Sequence, residues 1–135
     1  MTKISDLFQE FEDKRNAALM DAAIEREIDE MEYDIFRHQC ALNDLTVENI
    51  EDIQRIDNKK FVISFKSDLE LYHLLYMDMP EGIEIYDNDW GLRISIKGDN
   101  PEILNEYFEK IIDTVKAAIA DLQQKIETLS ERRTS

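Results

Sequence analysis

The stretch from Pro101 to about Leu129 constrains the chain most, because only a long helix can gather its apolar residues on one side. Leu104, Phe108, Ile111, Val115, Ala118 and Leu122 recur at alternating steps of four and three. Ile112, Ile119 and Ile126 sit one position to the side and widen the stripe. A stripe this broad packs against more than one neighbour. Asn100 is a good helix cap, and Pro101 suits the first helical position, where its missing N–H costs nothing. Glu102 places negative charge at the positive end of the dipole. A helix over 101–131 would be about 45 Å long and would need a partner within the chain.

The partner is a second long helix over 5–43. Ser5 caps it and Asp6 lies in the first turn. Leu7, Phe8, Phe11, Ala18 and Ala22 mark one side; Ile24, Ile28, Met31, Ile35 and Leu42 continue it after a phase shift near Ala22–Ile24. Such a shift marks altered winding or a change of packing partner. If the two helices run antiparallel with Leu42 level with Leu104, residue numbers at one level sum to about 146. Ile28 then faces Ala118. Residues before about 12 overhang, which leaves Ile4, Leu7, Phe8 and Phe11 as an apolar patch without a partner in the chain.

The segment between the helices, 46–98, reads as sheet. Phe61, Ile63 and Phe65 alternate onto one side of a β-branched run. Ile50, Ile53 and Ile56 are spaced by three, as in a helix. The turn-forming Asp57-Asn-Lys-Lys60 that follows favours a strand paired with the next one. Ser67-Asp-Leu-Glu70 has the capping-box pattern and predicts a short helix from Asp68 to about Tyr76 with Leu71, Leu74 and Leu75 as its apolar side. A second hairpin follows: Ile83 and Ile85, a turn at Asp87-Asn-Asp-Trp-Gly91, then Leu92, Ile94 and Ile96. The expected fold is one α+β domain over 1–135, in the order α-β-β-α-β-β-α. Two long antiparallel helices form a coiled-coil-like pair, with a small antiparallel sheet of two hairpins and a short helix between them.

Charge narrows the partners. The chain has 31 acidic and 16 basic residues, a net charge of −15. That sign repels phosphates and anionic lipid, so direct nucleic-acid or membrane binding is not expected. It attracts basic protein surfaces. Acid is densest along Glu25, Glu27, Asp29, Glu30, Glu32 and Asp34, with Asp87 and Asp89 as a second cluster beside Trp90, an indole suited to anchoring an interface. A charge run of this kind otherwise only solvates its helix. Cys40 is the single cysteine, so no internal disulfide forms. With no apolar leader or membrane span, the expected setting is cytoplasmic, in a bacterium or in a phage that lives in one.

The chemistry-bearing residues do not assemble into a catalytic set. His38 and Cys40 are two apart on a helix and point in opposed directions, so they do not share a metal ion. His73 sits on the short helix beside Tyr72 and Tyr76, where a lone histidine more often packs against aromatics than acts as a base. Asp87-Asn-Asp-Trp-Gly91 begins like a calcium loop, but Gly98 stands where the twelfth-position Glu belongs. Glu27, Glu30 and Asp34 lack the Glu-x-x-His pair of a carboxylate-bridged bundle site. Three glycines leave no phosphate-cradling loop. No cofactor or metal is expected, and no enzyme activity.

Two long helices with hairpins between them resemble the layout of prefoldin subunits, which do not usually insert a helix between hairpins. Size and acidity are similar to those of type III secretion chaperones, bacterial immunity proteins and phage inhibitors that mimic DNA. Composition does not choose among these. The expectation is an acidic inhibitor or DNA-mimic module that occupies a basic partner surface. The alternative is a structural, adaptor or chaperone-like coiled coil that homodimerises through Ile4, Leu7, Phe8 and Phe11.

Overall fold

The computed structural model describes residues 3–66, 69, 71–88 and 91–133. Helix α1 runs Ile4–Asp44, and strands β1 (Ile50–Asp57) and β2 (Lys60–Phe65) follow it. A short 3-10 segment over Tyr72–Tyr76 leads to strands β3 (Ile83–Asn88) and β4 (Gly91–Lys97). Helix α2 closes the series at Ile103–Ser130. The protein is therefore a mixed α+β fold. Its backbone separates into two compact units: residues 35–120, and residues 1–34 with 121–135.

The sheet organises the first of these units. Its four strands lie in the order β1-β2-β4-β3, every neighbouring pair antiparallel. The two sequential hairpins are thus joined through β2 and β4. Register explains why the apolar alternation works. Ile53, Ile63, Ile94 and Ile85 form one row across the sheet, and Phe61, Ile96 and Ile83 form the next. Period-two alternation places all of them on one side. Phe61, Ile63, Phe65, Ile94 and Ile96 are buried there. Ile111 and Val115 of α2 close over that side, together with Ala41 near the end of α1 and Leu45 just beyond it. Val62 and Ser95, paired across β2 and β4, are buried on the opposite side.

Two local expectations need correction, and a third holds. First, α2 begins at Ile103, not at Pro101. Asn100 does cap the entry: its Oδ1 accepts from the Glu102 N–H at 3.1 Å. Its carbonyl, however, accepts from the Ile103 N–H, and Pro101 O accepts from Leu104 N–H. These are three-residue turns, so 101–102 form a turn before the helix proper. Second, the short helix is a 3-10 segment over Tyr72–Tyr76. Leu71 and Leu74, three apart, are both buried, a spacing that three residues per turn serve better than 3.6. The capping-box residues Ser67, Asp68 and Glu70 lie outside the described residues. The strand expected from Ile50 to Ile56 is present, as Ile50–Asp57, despite its spacing of three. The turn after it holds, with Asp57 Oδ1 accepting from the Lys59 N–H at 2.7 Å, and pairing with β2 outweighs local propensity. Ile53 and Ile56 remain exposed as a result.

In the second unit, Ile24 and Ile28 are the buried residues of α1 among those described. Before Ile24 nothing described on α1 is buried. The phase shift near Ala22–Ile24 therefore coincides with the point where burial begins. An ion pair joins Glu25 to Arg133. The expected register placed Glu25 level with Asp121, so this contact departs from the sum of 146. That expectation aligned the ends of the β region. Met31 shares a groove with Gln124 and Leu129, not with residues near 115, and so departs from that sum in the same direction.

Candidate functional site

Helix geometry sets the acidic stretch. Ile24 and Ile28, four apart, occupy the inward side of α1. The residues between and after them must then point elsewhere. Glu25, Glu27, Asp29, Glu30 and Glu32 are all exposed, and Asp34 is half-buried. Glu25 is held by Arg133. Among the described residues, Glu27, Asp29, Glu30 and Glu32 form no ion pair. Ion pairs elsewhere, Glu10–Lys14, Glu106–Lys110 and Asp121–Lys125, are exposed links between i and i+4 on single helices, which contribute a few tenths of a kcal/mol each. Six acids over ten residues give about one charge per 2.5 Å of helix, against about one per 1.7 Å along duplex DNA.

Asp87 is exposed on β3 opposite Leu92. Asp89 and Trp90, the remainder of the expected second cluster, lie outside the described residues.

The N-terminal arm is open to solvent. Ile4 is 85 % exposed, Phe8 61 %, Phe11 58 % and Leu7 40 %. Leu19 and Met20 extend the exposed apolar surface along the same helix. Lys14 Nζ sits 5.9 Å from the Phe11 ring centroid and 3.6 Å from Glu10, so polar groups border the patch without covering it.

The fold brings together two histidines that lie 35 residues apart in the chain. The His38 and His73 rings lie 5.4 Å apart between centroids, tilted by 34°. Among the described residues no group of three or more His, Cys, Asp or Glu side chains is placed to hold a metal ion. No helix among them is long and apolar enough to cross a membrane.

One feature was missed in the sequence. A groove of about 420 Å³ opens between β1 and the first turns of α2. Val47, Ile50 and Ile53 form one wall, Leu104 and Phe108 the other, and Ile63 the floor. The signal was the surplus of isoleucine at 50, 53 and 56. On an edge strand these residues cannot all reach the core.

No protein-family model matches this chain, and no curated protein or solved structure is significantly similar to it.

Proposed function

We propose that this chain is a non-enzymatic, acidic protein-binding module whose helix α1 docks on a basic surface of a partner. The inhibitor or DNA-mimic type is its sharpest form. The observation that carries this reading is the solvent exposure of Glu25, Glu27, Asp29, Glu30 and Glu32 beside a buried Ile24/Ile28 pair. Dense fixed carboxylates on a helix accelerate encounter with a cationic surface and fix its orientation. We further read α1 and α2 as an antiparallel pair, supported by the Glu25–Arg133 contact and by the groove that Met31 shares with Leu129.

The test is charge reversal of Glu27, Asp29, Glu30 and Glu32 to Lys, with affinity for a partner captured from host lysate measured between low and physiological salt. The variant should bind at least about tenfold more weakly, with a flatter salt dependence. Unchanged affinity would remove the proposal.

A second reading is homodimerisation through Ile4, Leu7, Phe8 and Phe11. What favours it is that these side chains are open to solvent within a single chain.

A further inference from the structure

We propose that the groove between β1 and α2 takes an extended segment of a partner protein, paired to the outer edge of β1, with apolar residues at every second position and Lys or Arg between them. This deepens the protein-binding reading above and rests on it, but it names a different surface, within residues 35–120.

Three observations converge on that occupant. The first is the edge itself. β1 pairs with β2 on one side, and among the described residues no strand pairs with it on the other. Half of its backbone N–H and C=O groups therefore face outward, ready for another strand. The opposite edge differs, because the 3-10 segment over Tyr72–Tyr76 packs beside β3.

The second is the groove beside that edge. A strand added to β1 would send alternate side chains to the core side of the sheet, where the groove lies. Val47, at 72 % exposure, and Ile53, at 45 %, already border it. Ile63, at 2 %, makes the floor apolar. Apolar residues of the added strand would cover this surface.

The third is charge. Glu48, Glu51, Asp52, Glu102 and Glu109 are exposed around the groove and along β1. Arg55, the cation within β1, is already engaged: its guanidinium lies 4.9 Å from the Phe61 ring centroid, and its Nη2 donates to Asp99 O at 3.0 Å. An acidic rim favours a basic strand. It also disfavours a second copy, since β1 against β1 would set Glu51, Asp52 and Asp57 among their own kind.

The probe is a capped peptide as long as β1 that alternates Lys and Val, with a Lys–Ser alternation of equal charge as control. Affinities for the full chain are measured at physiological salt, and amide shifts are mapped. The Lys–Val peptide should bind at least about tenfold tighter than Lys–Ser and shift residues 47–57 and 104–109. Val47→Lys and Ile53→Lys, both at exposed positions, should each lower that affinity about tenfold or more with circular dichroism unchanged. Equal affinity for the two peptides, or no effect of either substitution, would overturn the proposal. Shifts confined to 25–34 would also overturn it while leaving the acidic-helix reading standing. Loss of the lysate partner on helix charge reversal tests that reading separately.

Discussion

Phe65 at the end of β2 and Phe108 on α2 lie with ring centroids 6.5 Å apart and planes within 18°. This pair links the sheet to the terminal helix inside one unit. Phe65 is fully buried, while Phe108 is half-buried and borders the groove. Phe65→Ala should destabilise the protein by about 3–5 kcal/mol in urea unfolding, and Phe108→Ala by less. The double substitution should show a coupling of about 0.5–1.5 kcal/mol from the ring contact. Strict additivity would mean the rings contribute only through their separate burial.

Gly98 is required by its neighbour. A Cβ built there would lie 1.6 Å from Ile103 Cδ1 and 3.1 Å from Cγ1. The obstruction is mostly the far end of one side chain, which Val lacks. Gly98→Ala should therefore cost about 1–3 kcal/mol, and adding Ile103→Val should restore part of it. Thermal unfolding of the two single variants and the double one decides this. A double variant worse than both singles would show that the backbone at the α2 entry, not the Ile103 side chain, sets the limit.

Gly82 serves a different need. Its φ of 91° lies where L residues are strained, and Tyr107 Oη is 3.2 Å from where a Cβ would stand. Gly82→Ala should lose about 1–2 kcal/mol from backbone strain. Replacing Tyr107 by Phe as well should relieve only the hydroxyl contact, since ring Cε1 stays 3.3 Å away, and leave most of the loss, as denaturant midpoints would show.

The exposed arm makes a separate prediction. Phe8→Glu with Phe11→Glu should leave stability within about 0.5 kcal/mol, since both rings are already in solvent. Sedimentation velocity should show the wild type associating and the variant monomeric. A monomeric wild type at high concentration would reject the self-association reading.

Much of this molecule is legible in its sequence. Helical periodicity gave both long helices, because a stripe sustained at steps of three and four over many turns has no other regular solution. Alternation gave β2, β3 and β4, down to the side on which Phe61, Ile63 and Phe65 lie. The exposed carboxylates followed as well, since Ile24 and Ile28 leave them nowhere else to point.

Other features depended on contacts distant in sequence. Neither the joining of the hairpins through β2 and β4 nor the antiparallel match of Ile63 with Ile94 is encoded locally. Local propensity could not choose strand over helix for Ile50–Asp57; pairing with β2 did. Tertiary structure also brought His38 beside His73 and opened the groove between β1 and α2. Periodicity fixes which side of an element is apolar, because it is a property of one segment. What covers that side is settled by the packing of segments that sequence order does not make neighbours.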